Sequence, residues 1–211
     1  MTARSYYGSG SALRRAWGSL RHEGPRIFAL KLASELGYRR VVLLARPLDQ
    51  PIADVAPTLP VDAALLAESD IDEYAALRPD EDRSRVRAHL AAGWKCFTLR
   101  HEGRIVSACW AALPPYRSSY LGCEMPVAAD EVYLTDAWTD PRYRGHSLAH
   151  VLCLLQLAHF RDRGVRRAVR GTLPENRSAL RAHAKSGFRP VAMLTRVKLG
   201  PWTWHTRRDW Q

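Results

Sequence analysis

Residues 131–150, EVYLTDAWTDPRYRGHSLAH, decide how this chain is read. Val132, Leu134 and Trp138 alternate with polar neighbours as in a half-buried strand, and the pattern breaks at Asp140-Pro141. It re-enters as a helix opened by Arg144, Gly145, His146, Ser147, Leu148 and Ala149. A strand that turns through small residues into a helix N-terminus makes an anion site. The first-turn N–H groups have no intrahelical partner, and the helix dipole adds partial positive charge. Arginines on both sides of Tyr143 point to a phosphate or pyrophosphate as the anion.

Downstream, the helix is expected over Gly145–Arg163, apolar almost all round and therefore buried on more than one side, with Gly164 ending it. Val165–Gly171 reads as a strand, Asn176–Lys185 as a helix and Phe188–Leu199 as a final strand. Upstream, Trp94–Arg100 and Ile105–Leu113 are strands joined by a hairpin turn at Glu102-Gly103. Two helices fill Asp70–Ala92, parted near Pro79, the second capped by Asp80 or Asp82. Ala63–Leu66 is a short strand and Pro114–Asp130 a loop. Strands followed by strand–helix–strand–helix–strand indicate an α/β or α+β sheet with helices on both faces.

The main domain is placed at residues 61–200. Residues 1–50 form a basic N-terminal extension: an amphipathic helix at 12–22, a second helix ending at Gly37, and a strand over Tyr38–Ala45. A Pro-rich connector spans 51–60, and a Trp/Arg-rich tail spans 201–211. At 211 residues, 46% apolar and 25% charged, the chain can bury one full core. No apolar run is long enough for a membrane-spanning helix, and the N-terminus lacks the order of a secretion signal. Cys96, Cys109, Cys123 and Cys153 show no CxxC spacing, so reduced thiols in a cytoplasm are expected, with no metal site and no disulfide framework.

The net charge of +11 is uneven: residues 141–211 carry fifteen basic side chains against three acidic ones, and residues 49–82 carry ten acidic against one. The field around the loop therefore favours a polyanionic ligand. The arginines at Arg161, Arg163, Arg166, Arg167 and Arg170 read as a solvated face. No nucleic-acid-binding motif accompanies them, and nucleic acid is not an expected partner.

From about Val61 to Leu199 the order of elements resembles the GNAT (Gcn5-related N-acetyltransferase) superfamily, most strongly over 131–188. That family's phosphate loop, Arg/Gln-x-x-Gly-x-Gly/Ala, is matched by Arg144-Gly145-His146-Ser147-Leu148-Ala149, with Pro141 and Tyr143 before it. Ser147 stands where the middle glycine is expected. The later block, Asn-x-x-Ala with an aromatic and then Gly-Phe, is matched by Asn176, Ala179 and Gly187-Phe188, with His183 at the position that is often tyrosine.

The resemblance implies a mixed, mostly antiparallel central sheet flanked by helices on both faces. It also implies acetyl-CoA or another acyl-CoA as cofactor, and direct transfer of the acyl group to a primary amine in a ternary complex. The N–H groups of 145–149 would cradle the pyrophosphate, and Arg142 or a neighbouring arginine would meet the 3′-phosphate. Strands 131–139 and 165–171 would splay, with the pantetheine arm between them along Trp138 and Thr139 and Asn176 beside it. His183 or water would reprotonate the departing thiolate.

An attacking amine must lose a proton, which makes Glu131 and Asp136 candidate bases. Glu131 begins the strand, roughly where the superfamily's histone acetyltransferases place a glutamate; Asp136 is nearer the reactive end. Their odd separation puts them on opposite faces of a regular strand, unless a bulge intervenes. A noncatalytic CoA-binding or interaction module is the alternative. The acceptor is a small-molecule or peptide amine bounded by the 114–130 loop and the 70–92 helices. The basic helix at 12–22 is the candidate for peripheral membrane contact, and monomer and homodimer both remain open.

Overall fold

A computed structural model describes residues 25–78 and 81–210; the helix expected at 12–22 and Asp80 lie outside the described residues. The elements begin with helix α1 (Pro25–Glu35), strands β1 (Tyr38–Pro47) and β2 (Asp62–Leu65), and helices α2 (Ile71–Leu77) and α3 (Arg83–Ala91). Strands β3 (Lys95–His101), β4 (Arg104–Ala112), β5 (Arg117–Ser118), β6 (Cys123–Glu124) and β7 (Glu131–Thr139) come next. Helix α4 (Leu148–Arg161), strand β8 (Arg167–Thr172), helix α5 (Arg177–Lys185) and strands β9 (Arg189–Leu199) and β10 (Trp202–Asp209) complete them.

Eight strands form one sheet in the order β10-β9-β1-β8-β7-β4-β3-β2, while β5 and β6 pair with each other inside the 114–130 loop. All neighbours in the large sheet are antiparallel except β7 and β8. A parallel pair needs a long crossover, and α4 supplies it. Most of its apolar circumference is buried, with Leu148, Leu152, Leu157 and Phe160 packed over Val132, Leu134, Val106 and Phe97 while Leu155 is exposed. Leu180 of α5 packs against the same cluster. The opposite face is covered at one end by Ile71 and Tyr74 of α2 and Val86 of α3 over Trp110 and Ile105. At the other end Leu121 and Met125 from the 114–130 loop cover Val41, Leu43 and Val169. Helices on both faces of a mostly antiparallel sheet are what the sequence led us to expect.

Local chemistry explains several boundaries. Glu102 (φ 49°) and Gly103 (φ 78°) are both left-handed, which suits the two-residue turn between twisted strands. Asp82 caps α3 by accepting a hydrogen bond from the Ser84 N–H at 2.9 Å. Helix α4 starts at Leu148, three residues later than expected, because Gly145 (φ 88°) and Ser147 (φ 59°) take conformations outside the right-handed helix.

The structure corrects the treatment of residues 38–47 as part of an extension. β1 lies inside the sheet, between β8 and β9, and pairs with both. Its run Val41–Ala45 is buried on both faces: Val42 and Leu44 join the cluster under α4, and Val41, Leu43 and Ala45 join the opposite one. A strand covered on both sides reads as a continuous apolar run instead of an alternation. Residues 202–209 of the tail are a strand too, paired with β9 at the sheet edge, with Trp202 and Trp204 stacked on each other and exposed.

Candidate active site

The centre of the sheet forks. β7 and β8 pair from Glu131↔Arg167 to Leu134↔Arg170 and then separate, since β7 stays with β4 while β8 stays with β1. A bulge sits at the parting: Trp110 faces Thr135 and Ala108 faces Trp138, so Asp136 and Ala137 together oppose Cys109. Asp136 takes the bulge's strained position, with φ 52°. Such bulges bend a strand and re-aim its side chains.

The turn at 144–149 stands at the open end of the fork. The backbone N–H groups of Gly145, His146, Ser147, Leu148 and Ala149 have no hydrogen-bond partner among the described residues. The two left-handed positions, 145 and 147, fold these donors into a concave nest of the kind that suits an anion. The glycine-type positions are thus 145 and 147; Ala149 sits in the first turn of α4, where a methyl group is no hindrance. A Cβ built on Gly145 meets nothing within 4 Å, so the space over the nest is open. Donor set, helix end and open approach fit a pyrophosphate.

The other loop residues are held in defined ways. The Arg142 guanidinium is gripped by Asp140, with Nη2 at 2.7 Å from the carboxylate, and Asp140 also accepts from the Arg142 N–H at 2.9 Å. The Arg142 side of the pair is exposed to water, while the Asp140 carboxylate is largely covered. Arg144 donates to the Thr139 carbonyl at 3.3 Å and lies over the Trp138 ring at 5.5 Å. Trp138 has Arg78 at 4.9 Å from its ring centroid as well, and its Nε1–H is buried without a partner. Nδ1 of His146 lies 2.9 Å from Thr58 Oγ1, and Nδ1 of His150 lies 2.9 Å from Ser186 Oγ. These histidines, four apart, serve different partners, and no metal-binding group of three or more His, Cys, Asp or Glu occurs among the described residues. Asn176 caps α5, its Oδ1 accepting from the Ala179 N–H at 3.0 Å and the Ser178 hydroxyl at 2.9 Å. Only its NH2 group remains for a ligand.

The two candidate bases are separated. Glu131 is 1% exposed at the start of β7, well before the fork. Its oxygens accept from the Ala128 N–H at 3.0 Å and from Arg167 Nε at 2.5 Å, so it ties the first turn of β7 to the start of β8. At a strand rise of about 3.3 Å per residue it stands roughly 16 Å from Asp136. Asp136 is at the fork but paired: Oδ1 is 3.0 Å from Arg78 Nη1, and Oδ2 is 3.9 Å from Arg85 Nη2. Arg85 and Arg78 also hold the buried Glu81, at 2.6 and 3.7 Å. Burial pushes the Glu81 carboxyl up.

On that side of the sheet the approach is lined by rings. His89 stacks on Trp94 at 3.9 Å with its edge toward Trp110, and Tyr116 stacks on Tyr133 at 4.1 Å. Burial, with help from Arg85, pushes His89 down to about 4, so it is neutral at pH 7. Burial and the nearby Arg170 push His183 down to about 3. Shifted this way, the His183 ring is in its neutral form at pH 7. The Arg78–Glu81–Arg85–Asp136 network and the ring-lined approach escaped the sequence reading. Their members come from three separate segments, so no single stretch of the sequence announces them.

The model of the acetyltransferase (GNAT) family matches residues 63–188. The chain belongs to the GNAT acetyltransferase family. It is similar to a mycothiol acetyltransferase of Thermomonospora curvata, with 32% identity over 206 residues, covering 86% of this chain and 64% of that relative. The chain thus spans about 64% of the relative's length. Among solved structures it is similar to a putative GNAT acetyltransferase of Novosphingobium aromaticivorans, with TM-score 0.54, 22% identity, and coverage of 75% of this chain and 65% of that one. It is also similar to a GCN5-related N-acetyltransferase of Sphaerobacter thermophilus, with TM-score 0.54, 18% identity, and coverage of 91% and 64%. Those two likenesses concern the fold. In GNAT terms, the forked pair is β7 and β8, and the nest lies where α4 begins.

Proposed function

We propose that this GNAT chain is an acyl-CoA-dependent N-acyltransferase that passes an acetyl group to a primary amine by direct attack in a ternary complex. The observation that carries this reading is the row of five unpaired N–H groups, Gly145 to Ala149, opening onto the fork between β7 and β8. A bound acyl-CoA would supply the activated acyl group as a thioester. The chain's own residues do the rest. The nest holds the pyrophosphate, Arg144 and Trp138 frame the entrance, and the unpaired edge of β7 at Trp138 and Thr139 guides the arm. Arg142 exchanges Asp140 for the 3′-phosphate. Of the two carboxylates Asp136 stands at the fork, where it attracts an ammonium and receives its proton through water; Glu131 we assign to the strand junction. The ring-lined approach limits water around the incoming amine.

The name of the Thermomonospora relative puts a mycothiol-type amine first among acceptors to try. The four cysteines are free thiols, which suits a reducing compartment, and we place the protein in the cytoplasm. No helix among the described residues is long and apolar enough to cross a membrane.

Calorimetric titration with acetyl-CoA and CoA, followed by thiol release over an amine panel, tests the reading. Micromolar binding with amine-dependent thiol release is expected, and absence of CoA binding overturns it. A second reading, a noncatalytic CoA-binding module, is favoured by the neutral His183 and the ion-paired Asp136. Binding without turnover on any amine would select it.

A further inference from the structure

Arg170 is the last residue of β8 to pair with β7, so its Cα marks the point where the fork opens. It is 7% exposed, and no carboxylate lies within ion-pairing distance of it among the described residues. Its Nε–H is buried without a partner, and Nη1 has only the Cys153 sulfur, at 3.7 Å. The guanidinium lies over the Phe188 ring at 5.4 Å. Other arginines of the basic stretch behave differently: Arg166 pairs with Asp130 and Arg167 with Glu131. A buried cation with an unmet donor is costly unless an anion completes it.

We propose that Arg170 is a catalytic residue whose guanidinium receives the sulfur anion released when the acyl group leaves. The inference rests on the acyl-CoA reading above. The amine nitrogen forms its bond to the acyl carbon, the carbon–sulfur bond breaks, and its electron pair stays on sulfur. The ammonium proton passes to water. The thiolate is held by Arg170 until solvent protonates it, so no acid is needed at position 183.

The groups facing Arg170 agree with this assignment. From α4 comes Cys153, a weak acceptor that a stronger anion displaces. From α5 comes His183, kept neutral by burial and then by Arg170, so it adds no competing charge. From β4 comes Cys109, whose Sγ donates to the Thr135 carbonyl at 3.4 Å, and burial pushes its thiol up to about 12. Arg46, the other buried cation of this face, also has an unpartnered Nε, but its Nη2 donates to the Pro51 carbonyl at 2.8 Å and its Nη1 to the Ser186 carbonyl, whereas Arg170 has only a sulfur. Arg170 is the buried cation whose strand position lies at the fork, and no anion pairs with it among the described residues.

The test compares CoA with desulfo-CoA, which lacks the sulfur, by calorimetric titration between pH 7 and 10. A cation beside a thiol lowers its pKa by about 1 unit or more, equivalent to tenfold in thiolate affinity. The ratio of desulfo-CoA Kd to CoA Kd is therefore expected to rise about tenfold across that range in the unaltered protein. It should stay flat in Arg170→Met and rise in Arg170→Lys. Phosphate ionisation is common to both ligands and cancels in the ratio. If both ligands bind the unaltered protein and the ratio is flat, the Arg170 assignment is overturned while the acyl-CoA reading stands. If neither binds, the acyl-CoA reading itself fails and this inference with it. The unaltered protein alone decides the matter should Arg170→Met fail to fold.

Discussion

Replacing Ser147 with glycine should make the protein more stable, the reverse of what a serine before a helix ordinarily predicts. An N-cap serine normally accepts a hydrogen bond from the first turn, and its loss to alanine costs about 1 kcal/mol. Here the Ser147 side chain makes no cap bond, and its backbone is left-handed, at φ 59° and ψ 10°. A Cβ in that region costs roughly 1–2 kcal/mol. Glycine removes this cost but brings about 0.4–1 kcal/mol of extra unfolded-state entropy. The balance is a stabilisation of about 0.5–1 kcal/mol, which in a chain of this size raises Tm by roughly 1–4 °C. Ser147→Ala keeps the Cβ and loses only an unbonded hydroxyl, so it should change stability by less than about 0.3 kcal/mol. Urea denaturation of the three proteins, read at equal m-values, separates the cases. An alanine variant weaker by 1 kcal/mol or more, with no gain for glycine, would mean that the hydroxyl caps the helix and that the nest has been misread.

Ser147→Asp places a carboxylate in the nest and should weaken CoA binding at least thirtyfold, measured by calorimetry, with little change in Tm. Arg78→Met leaves the buried Glu81 and the bulge residue Asp136 short of a cation, and should cost about 3–5 kcal/mol in urea denaturation; a loss under 1 kcal/mol would show that the network does not hold the bulge. His183 has a folded pKa of about 3, below its unfolded value near 6.5, so protonation favours the unfolded chain. Stability should therefore fall as pH drops from about 6.5 toward 3, and His183→Gln should reduce that slope; an unchanged slope would refute the assigned burial.

The motif-bearing half of the fold was legible because its signals are local. Asp140-Pro141, Gly145 and Ser147 set a turn, the all-round apolar helix could only be a buried crossover, and Asn176 with Gly187-Phe188 bounded α5. β1 was misplaced because the prolines from Pro47 to Pro60 look like a boundary. Yet its run Val41–Ala45, apolar without alternation, already carried the mark of an interior strand. β10 reads as a tail in the sequence because an edge strand with every residue exposed offers no burial pattern beyond Trp202 and Trp204. Glu131 and Asp136 were indistinguishable by residue type. What separates them is pairing across the sheet, Glu131 with Arg167 and Asp136 with Arg78, partners 36 and 58 residues away. Arg170 was hidden for the same reason, as one arginine among several.

The position of β1 bears on how the chain can be made. Residues 38–47 hydrogen-bond to 167–172 on one side and 189–197 on the other. During synthesis this apolar strand must wait, unpaired, while more than a hundred later residues emerge. Contacts so distant along the chain slow folding and leave a sticky intermediate exposed. Expression of residues 63–188 alone, the span the family model matches, would omit β1, β9 and β10 entirely. β8 would then become a bare edge beside the fork, an invitation to aggregate. The same strand that completes the sheet therefore sets the shortest piece of this protein that can be cut out and still fold.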